Sequence, residues 1–384
     1  MGLGIAQAIA AAGCEVILCG RDPAAAWDRL DDALRRQVAR GRLGDAEAAT
    51  IRGRVSVAPE DLEGCGLIIE SVPEDRAIKL ATLAAIERAA PGALVASNTS
   101  GLSIAGLGEA FGDPSGFLGL HFFSPAERMP LVEVVRGPLT SAATLETGLA
   151  FTRALGKRPV VVRDGPGFFT TGVFCAYLDE AVAMVVEGVA PEVIDAAATA
   201  NGRALGPLAV LDEIGIALNL TQARQARADG LAARYGRSLA EPALALLVEA
   251  GRRGRRDGGG FYDGPARTPW PGLAAAFPLS ASPPDNEAIR LRLFAAEAGE
   301  ALRRLEEGVV ASADDADAAS VLGLGYPSGG VLAAVEDFGL DAFVTLCERL
   351  AAAHGERFAP SPWLRALAAR GKGLSAYRGT APCA

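Results

Sequence analysis

Histidine is nearly missing from this sequence: His121 and His354 are the only two among 384 residues. That scarcity narrows the search for a neutral-pH base, because only histidine has an unperturbed pKa in that range. Long apolar runs are missing too, and nothing approaches the roughly 20 residues of a membrane span. The start carries neither the basic segment of a signal peptide nor the Ser/Thr of a myristoylation motif, so a cytoplasmic protein is expected. The six cysteines (Cys14, Cys19, Cys65, Cys175, Cys347, Cys383) form no CxxC pair and have no histidine nearby. They point to reduced, mostly buried thiols, with no zinc site, no other metal and no disulfide framework expected. Positive charge is in deficit, with a net charge of -9 and a pI near 5.0. A general nucleic-acid or anionic-membrane surface is thereby disfavoured, while a small anionic ligand remains compatible with local basic patches.

Half of the residues are apolar, enough for two or three domains. Through the first 165 residues, short β-rich runs alternate with Ala/Leu/Arg helices: EVILC, RVSVA, GLIIESV, ALVAS, FLGLHFF, LVEVV and RPVVVRD. That alternation predicts an α/β domain with a mainly parallel sheet. After Gly167 long amphipathic helices take over, so a mainly helical region follows. A Gly- and Pro-rich stretch near residue 270 separates two helical blocks that resemble each other. Glu180, Glu187, Gly188 and Asp195 match Glu300, Glu307, Gly308 and Asp315 at a constant spacing of 120 residues, and Gly215 then matches Gly339. A duplicated helical domain is the expected cause. The expected domains are therefore 1–164, 165–265 and 266–384.

Of the two histidines, His354 ends a helix and reads most simply as a capping or surface residue. His121 ends a strand, and twelve residues later Glu133 interrupts the apolar strand LVEVV. A buried carboxylate needs a partner. Were the two strand ends adjacent, Glu133 would accept the proton of one imidazole nitrogen, fix the tautomer and favour the charged ring, leaving the other nitrogen as a base. A satisfied core histidine and an unrelated ion pair would explain the same residue types. Upstream, ALVASNTSGLSI puts a polar NTS at a strand's C-terminal end, where open α/β sheets bind ligands. Ser100 there suits a substrate oxygen, a helix N-cap, or both.

The segments SNTSGLSI, LHFFSPAERMPLVEVV, DGPGFF and GPLAVLDEIGI together resemble the 3-hydroxyacyl-CoA dehydrogenases. The second helical block and GGGFYDG more particularly resemble the C-terminal half of multifunctional fatty-acid oxidation α-subunits. The resemblance implies a Rossmann-type α/β domain followed by duplicated all-α domains like the 6-phosphogluconate dehydrogenase C-terminal domain. It implies oxidation of L-3-hydroxyacyl-CoA to 3-oxoacyl-CoA in fatty-acid β-oxidation, with hydride passing to a nicotinamide cofactor. By that resemblance His121 takes the 3-hydroxyl proton, Glu133 orients and charges the histidine, and Ser100 hydrogen-bonds the reacting oxygen. Glu74, Lys79, Ser100, Ser124 and Arg256 fall where relatives line the cofactor, and Arg35, Arg36, Arg40 and Arg42 near coenzyme A phosphates. Ordinary solvated helix charge is the alternative account of Glu74, Lys79, Ser124 and Arg256, and a solvated helix face explains the four arginines equally well. A homodimer and a thiolase or hydratase partner are compatible with the family.

Three departures qualify this expectation. Thr171 and Gly172 stand where many relatives have Asn-Arg; the threonine still offers a hydroxyl toward substrate, whereas Gly172 removes a cation. Gly20 and Arg21 replace the acid that usually binds the ribose 2′-hydroxyl, which makes NADP as credible as NAD unless GRDP is merely a turn. Met1-Gly2 falls on the end of the family's GxGxMG loop, so the first strand and the two pyrophosphate-facing glycines are expected to be absent, with Gly2 remaining in the cofactor-binding loop at the close helix–strand contact. The alternative is a truncated, non-catalytic paralogue that binds acyl-CoA or a partner subunit. Retention of Ser100, His121 and Glu133 together favours the enzyme.

Overall fold

The computed structural model describes residues 1–20, 22–58, 62, 64–200, 202–228, 237–327, 329–371 and 373–378. It divides into two compact units, Met1–Phe168 and Phe169–Ala384.

In the first unit the order is α1 (Gly2–Ala11), β1 (Val16–Leu18), α2 (Pro23–Ala39), α3 (Asp45–Gly53), β2 (Val55–Val57), β3 (Ile68–Glu70), α4 (Arg76–Ala89), β4 (Val95–Ser97), α5 (Ile104–Gly108), β5 (Phe117–Phe122), β6 (Leu131–Arg136), α6 (Ala142–Ala154) and β7 (Arg158–Arg163). Each of the seven β-rich runs has become a strand. β1 pairs in parallel with β2, while β3, β4, β5, β6 and β7 form a five-stranded sheet in that order. β3, β4 and β5 are parallel, β6 runs antiparallel to β5, and β7 is parallel to β6. Among the described residues no strand pairs with both β1 and β3. The unit is Rossmann-like, a largely parallel sheet with helices.

β4 and β5 are buried at every residue, and β6 at all but its last. Strands covered on both faces read as continuous apolar runs. Leu118, Leu120 and Phe122 of β5 pack with Val132 and Val134 of β6, Leu145 and Leu149 of α6, and Ile5 of α1. The close approach of α6 needs Gly148, where a Cβ would stand 2.5 Å from Leu118 Cδ1. At the other end, Asp22 caps α2 by accepting from Ala25 N, and Pro23 follows at the first helical position. Asp22-Pro23 is thus a helix start.

The second unit contains α7 (Thr170–Val186), α8 (Pro191–Thr199), α9 (Pro207–Ile214), α10 (Ile216–Ala228), α11 (Arg237–Glu249), a short β8 (Tyr262–Asp263) and β9 (Thr268–Pro269) pair, α12 (Pro271–Ala276), α13 (Asn286–Glu306), α14 (Ala313–Leu324), α15 (Val331–Phe338), α16 (Leu340–His354) and α17 (Pro362–Ala369). Helices α7 to α10 recur in order as α13 to α16, each of the second set being as long as its counterpart or longer. One matched position needs correction. Asp195 accepts from Leu208 N and Ala209 N at the start of α9, and it is Asp317 that accepts from Leu332 N and Ala333 N at the start of α15. Asp315 instead lies in the first turn of α14, its amide donating to Ser312 Oγ. The loop before α14 is longer than the one before α8, which shifts the true counterpart past Asp315. Both aspartates demand a glycine opposite: a Cβ on Gly206 would lie 2.3 Å from Asp195 Cγ, and one on Gly330 2.4 Å from Asp317 Cβ.

Asp212 of α9 accepts from Phe261 N and Tyr262 N, anchoring the GGGFYDG segment. Burial pushes its carboxyl up to about 6, against the opposing pull of those two amides and of Arg252. Folding therefore raises the affinity of Asp212 for a proton above its unfolded value of about 3.9. Its contribution to stability is fully present below that value and is lost as pH rises through about 6. Asp212→Asn removes this titration, so the Tm of the native protein relative to the variant should rise between pH 7.5 and pH 4.5. A Tm difference constant over that interval would contradict the assignment.

Candidate active site

The antiparallel register of β5 and β6 puts His121 directly opposite Glu133. Their side chains meet, with His121 Nδ1 2.7 Å from Glu133 Oε2. Glu133 is wholly buried and His121 is 7% exposed. Against a carboxylate acceptor, Nδ1 carries the hydrogen and Nε2 keeps its lone pair. The ring is held between aromatic neighbours, its centroid 4.5 Å from that of Phe123 and 6.2 Å from that of Phe168.

Asn98, the first residue of the NTS triplet, joins this strand end to the next. Its Oδ1 accepts from Phe122 N at 2.9 Å, and its own amide donates to Glu70 O. Ser100 follows two residues later. Its amide and hydroxyl both donate to Glu74 Oε1, at 2.9 and 3.1 Å, and Thr99 Oγ1 donates to the same atom at 2.7 Å. Ser100 does not cap α5: that helix start is held by Ser103 and by Asp164, which accepts from Ser103 Oγ, Ile104 N and Ala105 N. The signal for Asn98 and Asp164 was only a polar residue at a strand end, which does not name its partner.

Lys79 lies beneath this loop, its side chain only 1% exposed. Ser124 is exposed in the β5–β6 connection. The loop is braced from within by Lys157, whose Nζ donates to Ala126 O at 2.7 Å and Met129 O at 2.6 Å, and burial draws its ammonium pKa below the usual lysine value.

Gly2 opens α1, which has no side-chain cap and no acidic residue in its first turn. Its leading amides are free to donate, and a helix N-terminus favours an anion. Beside it the buried Ser71 Oγ has no hydrogen-bond partner among the described residues, and a Cβ on Gly2 would sit 3.6 Å from it. An unspent hydroxyl at a helix start suits a phosphate-bearing cofactor. Gly4, in the same turn, leaves room for Glu127, whose Oε2 would be 2.9 Å from a Cβ there. Gly20 follows β1 with open space around it; Arg21 lies outside the described residues. The arginines of the α2–α3 segment, Arg35, Arg36, Arg40 and Arg42, are exposed, and Arg35 pairs with Asp32.

Thr171, Arg256 and His354 belong to the second unit. Thr171 is half-buried in the first turn of α7, and Arg256 is exposed in a short turn after α11. Next to Thr171, a Cβ on Gly172 would fall 2.4 Å from Nη2 of Arg304, a fully buried residue. The missing cation at position 172 is thus accompanied by a guanidinium from α13 packed in the same space. His354 is half-buried at the end of α16, and burial, reinforced by Arg292, lowers its pKa.

Comparison with known proteins accords with this arrangement. Residues 1–165 match the profile of the 3-hydroxyacyl-CoA dehydrogenase NAD binding domain, and residues 167–264 and 289–379 that of the 3-hydroxyacyl-CoA dehydrogenase C-terminal domain. A fatty acid oxidation complex subunit alpha from Shewanella sp. (strain ANA-3) is 36% identical over 315 residues. That match takes in 79% of this chain but 44% of the relative, so the chain spans less than half of the relative's length. Among solved structures, 3-hydroxybutyryl-CoA dehydrogenase from Escherichia coli K12 superposes with a TM-score of 0.83 at 28% identity, covering 98% of this chain and 97% of that one. M. tuberculosis FadB2 is 33% identical over 69% of this chain and 95% of its own, with a TM-score of 0.64.

Proposed function

The chain belongs to the 3-hydroxyacyl-CoA dehydrogenase family, and from that premise we propose that it oxidises L-3-hydroxyacyl-CoA to 3-oxoacyl-CoA in fatty-acid β-oxidation. The observation that carries this reading is the His121–Glu133 pair at 2.7 Å on two buried strands. His121 Nε2 removes the proton of the substrate 3-hydroxyl. Glu133 holds the Nδ1 hydrogen and balances the imidazolium that forms. Ser100, fixed at the neighbouring strand end, hydrogen-bonds the reacting oxygen, and Thr171 is a further substrate contact in the same proposal.

When bound, the nicotinamide cofactor accepts the C3 hydride. The chain's own part is to hold it: the α1 amides with Gly2 and Ser71 suit its phosphates, Gly20 and Arg21 its ribose, and Glu74, Ser124 and Arg256 its remaining surface. NAD is the cofactor of the matched domain family; acceptance of NADP is the consequence we draw from Gly20 and Arg21. In the division we propose, residues 1–164 bind the cofactor and 165–265 and 266–384 are successive helical copies. A hydratase or thiolase of the same pathway is the proposed partner, by similarity to an oxidation-complex subunit. No described helix is long and apolar enough to cross a membrane; a cytoplasmic location is part of the proposal.

Reduction of acetoacetyl-CoA by the purified chain, followed as consumption of NADH and separately of NADPH, tests the reading. Turnover should be measurable with at least one cofactor and abolished by His121→Asn. Binding of acyl-CoA with no turnover and no cofactor binding would replace it with the non-catalytic alternative. Strong preference for NADH would remove the role given to Arg21.

A further inference from the structure

A chain of buried polar groups runs behind Ser100. At its deep end Glu70, Lys79 and Ser97 are 4%, 1% and 0% exposed. Lys79 Nζ donates to Glu70 Oε1 at 2.9 Å and Oε2 at 3.0 Å, and to Val72 O at 3.3 Å. Ser97 Oγ donates to Glu70 Oε1, and Val72 N to Glu70 Oε2 at 3.1 Å. An ammonium has three hydrogens, and all three of these are spent inside the protein. Lys79 therefore offers no donor to a ligand. What it does offer is charge: its Nζ is 3.5 Å from Glu74 Oε2, and Glu74 is the residue whose other oxygen gathers Thr99 Oγ1, Ser100 N and Ser100 Oγ.

Two carboxylates thus share one buried cation, leaving a net negative charge on Glu74 at the better exposed end, where the Ser100 loop donates to it. We propose that Glu70 and Lys79 are positioning residues: a buried carboxylate–ammonium pair that holds Glu74 and, through it, the Ser100 loop, without touching substrate or cofactor. The inference deepens the proposed function and rests on Ser100 as the substrate contact. It reassigns Lys79 from a cofactor ligand to a support.

Hydrogen exchange of the Ser100 amide in the full chain tests this independently of turnover. In Lys79→Met, exchange at Ser100 should quicken by about tenfold or more, with Val134 in β6 unaffected. Because Lys79→Met leaves Glu70 buried and unpaired, the Glu70→Gln/Lys79→Met double variant serves as a charge-free version that keeps the volume. It too frees Glu74 and should quicken Ser100 exchange. In kinetics both variants should lose about tenfold in kcat. Unchanged Ser100 exchange in folded variants overturns the proposal. So does a tenfold loss of NADH affinity with Ser100 exchange preserved, which would mark Lys79 as a direct contact. Native kcat in Ser100→Ala would instead strike the proposed function, leaving the exchange result to stand on its own.

Discussion

His121→Asn should lower kcat for 3-hydroxyacyl-CoA oxidation by about 10²–10⁴-fold, with KM for thioester and cofactor changing only a few-fold. Asparagine keeps a polar group at the end of β5 but cannot carry a proton, so the loss falls on the chemical step. The other histidine, His354, ends α16, where burial and Arg292 hold its pKa down. The substitution leaves Glu133 buried without its imidazole partner, so part of the measured loss could come from instability. His121→Asn/Glu133→Gln removes that charge and serves as the stability control. Steady-state kinetics beside a thermal melt separate the two causes. Retention of more than about a tenth of the native kcat would place the base elsewhere.

Glu133→Gln should lower kcat by about 10²–10³-fold although the side chain keeps its shape. The amide oxygen can still accept from Nδ1, which preserves the tautomer, but its neutral group no longer balances the imidazolium. Residues acting as one unit are non-additive. The double variant should therefore be about as slow as His121→Asn alone. Multiplying effects would show that the two side chains work separately, whatever their 2.7 Å contact suggests.

Much of the fold was legible in the sequence. All seven β-rich runs of the first unit formed strands, because a run such as FLGLHFF covered on both faces has no position for an exposed polar residue. The helical repeat was visible because Glu180 and Glu300 both lie on the long first helix of their block. Asp315 was mistaken for the partner of Asp195 because a constant spacing does not register a longer loop; the cap that Asp317 makes on α15 does. At the candidate site His121 and Glu133 stood out as rare or costly residues in apolar strands. Glu70 stood in a strand just as Glu133 did but drew no notice, because nothing in ESVPEDRAIKL says that Lys79 folds back onto it. Ser71 was equally silent, its hydroxyl notable only for the helix start beside it.

By itself the sequence determined what local chemistry controls: which runs are strands, where helices begin, that a helical block recurs, and which buried charges need partners. Only the tertiary structure decided who those partners are. Register between β5 and β6 joined Glu133 to His121, and the packing of α4 against β3 joined Lys79 to Glu70. Periodicity and capping act over a few residues, whereas a buried charge is satisfied by whichever group the fold carries to within about 3 Å, however distant in the chain.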